Sequence, residues 1–469
     1  MDAVLRLYDT RSRQIEEIVP ATAGLLTMYC CGPTVYRDAH VGNLRTFLLG
    51  DLIRRIAEAQ GWRVQVVQNI TDVGHLEDDA ALDAIGEDKM LAEARRTGKS
   101  ALEIARHYED TFHQDLADLN IRPADLYPRA SESINLMLEL VARLVDSGHA
   151  YVADNGSVFF AARSFASYGE ISGNRLDELR PGHRFEGTVD EHKRFHADWA
   201  LWKAADPARR ELVWDSPWGS GFPGWHIECS AMLLRYLGET VDVHVGGIDL
   251  RFPHHEDERA QSNAAVSHDV VRHWVHGEHL LFEGRKMAKS SGNVVLLTDV
   301  AGRGYEPLAV RMAFLEQRYR QQMNLTWAGI AAADRTLNRW RQRVADWAES
   351  PSAPMAPGYR RSVYEAFADD LDTATALQTL RRIERDPELA PGAKFELFAH
   401  LDRLFGLDLA RDVGKPRGPA VLSAEISTLL EARAAARAAK DWGQSDRLRD
   451  ELATRGVTVV DTPEGQRVS

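Results

Sequence analysis

LLTMYCCGPTVYRDAHVGN, residues 25–43, decides how the rest of the chain is read. It opens as a short apolar strand, turns at Gly32-Pro33 with a thiol on the turn, and enters a helix at His40-Val41-Gly42-Asn43. A strand, a glycine-bearing turn and a helix start form the phosphate site of open α/β sheets. There, backbone N–H groups and the positive helix end face the ligand. Working outward, Leu44–Gln60 has apolar residues at helical spacing (Phe47, Leu48, Leu52, Ile53, Ile56) and stops at Gly61. Val64–Val67 is a β-branched strand that runs into Asn69-Ile70-Thr71-Asp72. Strand, helix and strand in this order predict a parallel βαβ unit. The polar tetrad then falls at a strand's carboxyl end, where open sheets bind ligands.

Residues 3–9 and 14–19 read as short strands before this unit, and 101–119 and 133–146 as capped helices after it. Over 151–222, Gly, Pro and aromatic residues become frequent among short strands at Tyr151–Val152 and Val158–Phe160, as in an insertion between two halves of a sheet. The sheet is expected to resume at Val241–Val245 and again near Trp274–Phe282. From Pro307 the pattern is helical: Leu308–Gln321, Trp327–Trp347, Tyr359–Leu380, Ala393–Phe405 and Ala424–Arg455, with a β-like tail at Val457–Val460. Linkers are expected at Pro351–Gly358 and Asp412–Pro419.

A chain of 469 residues exceeds one ordinary core and implies two or three domains. Its 44% hydrophobic and 27% charged content is that of a soluble globular protein. No apolar run reaches membrane-spanning length and the N-terminus lacks an export pattern, so no membrane partner is expected. Three cysteines argue against a disulfide framework and for a reducing, cytoplasmic setting. The net charge of −13 excludes a general polycation but leaves room for a local basic face on nucleic acid. Composition alone favours a small-molecule enzyme.

Two constellations carry chemistry. Cys229 follows Gly224-Trp225-His226-Ile227-Glu228, and Pro253 opens a helix on which His254 and Glu258, four apart, share a face. With Cys31 they make a possible zinc set of two thiolates, an imidazole and a carboxylate. Without C-x-x-C spacing, four such residues are more often an unrelated scatter. Cys30 and Cys31 alternate along a strand, so one faces the site; Cys31, beside Gly32, is chosen and Cys30 assigned to the core. The second constellation is Gly284-Arg285-Lys286-Met287-Ala288-Lys289-Ser290-Ser291-Gly292-Asn293, a basic loop suited to polyphosphate, or else a solvated surface loop. Paired with His40, it could hold the phosphates of ATP and stabilise departing pyrophosphate without a protein nucleophile.

His40-Val41-Gly42-Asn43 resembles the HIGH signature, and Lys286-Met287-Ala288-Lys289-Ser290 the KMSKS signature, of class I aminoacyl-tRNA synthetases. MYCCGPTVY around Cys31, NITD at Asn69–Asp72, PGWHIECSAM at Pro223–Met232 and FPHHEDE at Phe252–Glu258 resemble the cysteinyl-tRNA synthetase family, as do DWALWK at Asp198–Lys203 and AKDW at Ala439–Trp442. The resemblance covers nearly the whole chain. It implies an α/β fold with a Rossmann-type parallel-sheet catalytic domain at 1–306, an inserted subdomain at about 125–222, and all-α C-terminal domains. These would be a helical stem-contact bundle at 307–411 and a small anticodon-binding domain at 412–469.

By the same resemblance, one Zn2+ per chain is held by Cys31, Cys229, His254 and Glu258 and selects the cysteine thiol. Packing alone separates such small groups by only about 1–3 kcal/mol. Cysteine is activated by Mg2+·ATP to cysteinyl-adenylate and passed to the 3′ end of tRNA(Cys). His40, Asn43, Lys286 and Lys289 would serve the phosphates, and Thr71 and Trp225 the amino acid. His244, Gly246, Gly247 and Asp249 would line the adenosine side. Arg433, Arg437, Lys440, Trp442 and Arg447 are the tRNA-binding candidates. A monomer is expected. The sequence departs from the family pattern at Asn43 (histidine in HIGH), at Ala288 (serine in KMSKS) and at Val73-Gly74-His75-Leu76. Two other readings stand beside a tRNA ligase: the related cysteine:glucosaminyl-inositol ligase of mycothiol synthesis, and a non-charging paralogue. The first lacks the C-terminal module; intact His40 and Lys289 argue against the second.

Overall fold

The computed structural model describes residues 3–73, 88–179, 191–287, 293–415, 424–454, 457, 459–462 and 465–468. They form two compact units, Met1–Asp412 and Val413–Ser469. The first unit begins with the hairpin β1 (Arg6–Asp9) and β2 (Gln14–Glu17), then β3 (Leu25–Cys30), α1 (Val41–Ala59) and β4 (Arg63–Gln68). Helices α2 (Lys89–Thr97), α3 (Ala101–Asp118) and α4 (Ile134–Asp146) lead to an antiparallel sheet of β5 (Ala150–Val152), β6 (Val158–Phe160), β7 (Trp199–Ala204) and β8 (Gly221–Pro223). The chain continues through α5 (Trp225–Leu237), β9 (Val241–Gly247), α6 (His254–Val266) and β10 (Val271–Gly277).

Strands β10, β9, β3 and β4 lie side by side in that order, all parallel. β9 is buried along its whole length, as expected where both faces of a parallel sheet are covered. Helix α1 connects β3 to β4 on one side, and the return after the antiparallel sheet enters β9 on the other side of β3. The strand order reverses there, so the crevice beyond the carboxyl ends of β3 and β9 is the ligand-binding position of such sheets. α1 packs through Leu44, Leu48, Ile53 and Ile56, and a Cβ at Gly50 would lie 2.9 Å from Cys30 Sγ, so this glycine lets helix and strand approach.

After β10 come β11 (Leu280–Phe282), β12 (Arg285–Lys286), α7 (Leu297–Gly302), α8 (Pro307–Leu315), β13 (Met323–Leu325), α9 (Trp327–Ala348), α10 (Pro357–Ala368), α11 (Thr373–Arg385) and α12 (Pro391–Phe405). Three expectations change here. The segment Trp274–Phe282 divides between two sheets, because β11 pairs with β12 and β13 rather than β9. The helix from Leu308 stops at Leu315, and Met323–Leu325 is a strand beside β11. The segment Tyr359–Leu380 is two helices: Asp370 and Leu371 adopt left-handed φ of 54° and 51°, and Asp372 caps the second by accepting from Thr375 N–H.

A buried ionic joint ties α1 to the helices after it. Asp51 Oδ2 accepts from Arg55 Nε and Arg311 Nη2, each at 2.7 Å. Arg311, fully buried, also donates to the carbonyls of Phe405, Leu119 and Asn120.

The second unit contains α13 (Ala424–Ala438), α14 (Trp442–Thr454) and the antiparallel pair β14 (Val459–Thr462) and β15 (Gly465–Val468). The single helix expected over Ala424–Arg455 is broken at Lys440, whose φ is 59°. Among the described residues, no helix is long and apolar enough to cross a membrane.

Candidate metal and nucleotide site

Cys31 follows β3, and its N–H donates to the Val245 carbonyl of β9 at 3.0 Å. A Cβ at Gly32 would sit 1.7 Å from the Asn69 carbonyl oxygen, so only glycine passes here. Cys229 lies in the first half of α5; His254 and Glu258 lie one turn apart on α6. All four are buried, and their donor atoms lie within 4.8 Å of one another. His254 Nε2 is 2.9 Å and Cys31 Sγ 3.5 Å from Glu258 Oε1. Cys30, by contrast, faces α1, where burial pushes its thiol up to about 12, as a core cysteine.

Imidazoles surround the four. His244 Nε2 is 2.9 Å from Glu258 Oε2, and His255 Nε2 is 3.3 Å from Cys31 Sγ. His255 Nδ1 meets His276 Nε2 at 2.8 Å, and His276 Nδ1 meets Thr10 Oγ1 at 2.8 Å. His226 Nδ1 lies 2.8 Å from His254 Nδ1. Burial keeps His226 and His255 neutral and lowers His276 to about 3. Burial would push the Glu258 carboxyl up, but His244 and His254 beside it hold it well below the carboxylate range. His254 rises to about 10: its burial opposes charge, and Glu258 and Cys229 outweigh that.

Sequence reading missed His226, His255 and His276; the only signal was the density of histidines around the two motifs. It also set His244 beside adenosine. The structure buries His244, against Glu258 and stacked on Trp274. Gly246 has a related reason: a Cβ there would lie 2.5 Å from the His255 ring.

Thr71 and Trp225 border the same cluster. Thr71 Oγ1 donates to Glu228 Oε2 at 3.0 Å and accepts from Asn69 Nδ2 at 3.1 Å; Asn69 Oδ1 accepts from Gly32 N–H at 2.8 Å. The partly exposed Trp225 ring lies 4.2 Å from His254 between ring centres.

His40 and Asn43 cap α1 reciprocally: Asn43 N–H donates to His40 Nδ1, and His40 N–H donates to Asn43 Oδ1, both at 3.2 Å. The departure at Asn43 thus supplies a capping box. With Nδ1 accepting, the His40 proton sits on Nε2. Burial, then the Arg37 charge, lowers this histidine to about 4, so it donates as a neutral group. The basic loop returns to this turn. A Cβ at Gly42 would lie 2.7 Å from Met287 Cε, and Val41 N–H donates to the Val295 carbonyl at 3.0 Å. Lys286 is exposed on β12; exposed Asp249 is near enough for its charge to act on His40, and its carboxylate would meet a Cβ at Gly247 at 2.4 Å. Ala288, Lys289 and Gly74-His75-Leu76 lie outside the described residues.

In the second unit, Lys440, Trp442 and Arg447 are exposed, and the Arg437 guanidinium lies 5.5 Å from the centre of the Trp442 ring. Arg433 is a correction to the sequence reading. It is buried, both terminal nitrogens meet Asp461 at 3.0 Å, and it is spent on joining α13 to the hairpin.

The donor chemistry of Cys31, Cys229, His254 and Glu258 fits a metal ion. Zinc bonds of about 2.0–2.3 Å imply tetrahedral edges of roughly 3.3–3.8 Å. Donors that already lie within 4.8 Å of one another reach those edges with small shifts. Cys31, His244, His255 and Glu258 form an overlapping cluster of the same span.

A parallel sheet with its ligand crevice at the strand reversal, capped by a histidine-led helix, is the catalytic fold of class I aminoacyl-tRNA synthetases. The ternary LeuRS–tRNA–LeuAMS complex of Agrobacterium radiobacter K84 shares this fold, with a TM-score of 0.60 at 12% identity over 83% of this chain and 84% of that one. So does the Mycobacterium tuberculosis methionyl-tRNA synthetase bound by methionyl-adenylate, with a TM-score of 0.54 at 14% identity over 81% and 88%. The profile of the class I (C) tRNA synthetase catalytic domain matches residues 17–335, and that of the cysteinyl-tRNA ligase anticodon-binding domain matches 420–468. A cysteine–tRNA ligase of Thermus thermophilus is 43% identical over 482 aligned positions, covering 99% of this chain and 98% of its own. The chain belongs to the cysteine–tRNA ligase family and is a class I synthetase enzyme.

Proposed function

We propose that the chain joins L-cysteine to tRNA(Cys) in two steps, with one Zn2+ selecting the thiol and Mg2+ accompanying ATP. The observation that carries this reading is the convergence of Cys31, Cys229, His254 and Glu258 in the crevice of a chain of this family. Zinc held there would supply a thiophilic contact that distinguishes a cysteine side chain from serine or alanine. In the first step the cysteine carboxylate attacks the α-phosphorus of ATP, the bond to the β-phosphate oxygen breaks, and pyrophosphate leaves. His40 donates from Nε2 to the phosphates, the N-terminus of α1 adds its positive end, and Lys286 and Lys289 neutralise the growing charge. Thr71 and Trp225 orient the amino acid. His244, Gly246, Gly247 and Asp249 lie on the adenosine side, with His244 also holding Glu258. In the second step a terminal ribose hydroxyl attacks the acyl carbon, loses its proton, and AMP departs.

The bundle at 307–411 would brace the tRNA stem and the module at 412–469 would read the anticodon, with Arg437, Lys440, Trp442 and Arg447 as contacts. The anticodon-domain match supports tRNA, rather than an aminosugar, as acceptor. The deciding measurement pairs cysteine-dependent ATP–pyrophosphate exchange with transfer of labelled cysteine or serine to tRNA(Cys). Cysteine should be activated and transferred, and serine should not. Exchange without transfer to tRNA would overturn the assignment of the acceptor.

A further inference from the structure

Helix α6 carries two of the four donors and is clamped from outside by the turn at residues 165–172, which belongs to the segment containing the antiparallel sheet. Glu256 Oε2 accepts from the N–H groups of Ile171 and Ser172 at 3.0 and 2.8 Å. Arg259 donates to the Ser167 carbonyl and to Glu170. Between them, Tyr168 donates its hydroxyl to Asp257 Oδ1 at 2.5 Å. The other carboxylate oxygen, Oδ2, lies 3.4 Å from His226 Nε2, and His226 Nδ1 lies 2.8 Å from His254 Nδ1. Tyr168, Asp257, His226 and His254 are all buried.

The proton order along this row follows from its far end. If His254 uses Nε2 toward the metal cluster, its proton is on Nδ1 and points at His226 Nδ1, which must then be the bare nitrogen. His226 therefore carries its own proton on Nε2, which faces Asp257 Oδ2 at 3.4 Å, while Tyr168 donates to Oδ1 at 2.5 Å. The donors thus converge on Asp257, from His254 through His226 on one side and from Tyr168 on the other. Ligand histidines elsewhere are fixed in tautomer and orientation by an outer carboxylate; here the carboxylate acts through a second imidazole.

We propose that Tyr168, Asp257 and His226 form a positioning relay through which the inserted segment sets the tautomer and orientation of His254 and so the affinity of the metal centre. This inference rests on the zinc reading above. None of the three is a catalytic residue; each acts on the metal through His254.

The test uses full-length protein, stripped of metal and reloaded with Zn2+, with affinity measured by competition against a chromophoric chelator. Asp257→Asn should weaken zinc binding about 10–100-fold, and Tyr168→Phe, which removes one hydroxyl, roughly 3–10-fold. The unfolding midpoint of the metal-free protein should move little in Tyr168→Phe, and the visible spectrum of its Co2+-loaded form should shift. Arg259→Met is the control, since it releases the turn without touching the relay and should leave affinity within about twofold of wild type. Equal losses in Arg259→Met and Asp257→Asn would overturn the relay in favour of simple docking of the turn. Wild-type affinity in both relay variants would overturn it outright. A wild-type chain that binds no zinc would overturn the metal reading itself, a result distinct from either of these.

Discussion

Replacing Asp51 by Asn removes the carboxylate that hydrogen-bonds directly to two buried guanidiniums. Asp51 and Arg311 have fully buried side chains, and that of Arg55 is almost as buried. Asn keeps the size but leaves Arg55 and Arg311 facing a neutral amide at 2.7 Å. Breaking one side of a buried pair costs about 3–5 kcal/mol. The carbonyls that Arg311 also meets, at Phe405, Leu119 and Asn120, remain and place the expected loss near the lower end, about 3 kcal/mol. The sign with pH is fixed. Burial would raise the Asp51 carboxyl, but Arg311 and Arg55 prevail and lower it. The stabilisation is complete above the unfolded value of about 3.9 and is lost as pH falls through the lower folded value. Urea unfolding of wild type and Asp51→Asn at pH 7.5 should therefore differ strongly, and the gap should narrow in acid. A difference below about 1 kcal/mol at pH 7.5 would refute the reasoning, because it would mean the two arginines are solvated or otherwise balanced.

Cys229→Ser replaces a thiolate donor by a weak alcohol, so dialysed protein should hold well under one equivalent of zinc and bind cysteine more weakly; a full equivalent on metal analysis would contradict the ligand assignment. Deleting residues 420–469 should spare cysteine-dependent pyrophosphate exchange while lowering tRNA charging, and equal damage to both would contradict the division of labour. Asp115, raised to about 7 by burial and by Asp38 and Asp118, costs stability as pH rises from about 4 through 7. After discounting for its partial exposure, Asp115→Asn should stabilise the protein by about 1–2 kcal/mol at pH 8 and by nothing at pH 4, measured as unfolding free energies.

Local signals carried much of the architecture. The βαβ unit around residues 25–68 is written in apolar periodicity and in Gly61, and the shared face of His254 and Glu258 in their spacing. What escaped depends on distant partners. The helix breaks near Asp370 and Lys440 are made by non-glycine residues in left-handed conformation, marked only by aspartates that read equally well inside a helix. Arg433 looks like any basic surface residue until β14 brings Asp461 to it. The imidazole shell is the sharpest case: His226, His255 and His276 come from α5, α6 and β10, and only the sheet order makes them neighbours.

That sheet order also governs when the centre can exist. Cys31 and Glu258 are 227 residues apart. At translation rates of about 5–20 residues per second, the first thiol is made roughly 10–45 s before the last donor. Through that interval Cys31 of the nascent chain stands without the full set of its eventual partners, open to any oxidant or soft ion nearby. Loading therefore cannot precede synthesis of residue 258, and the vulnerable species is the half-made polypeptide rather than the finished one.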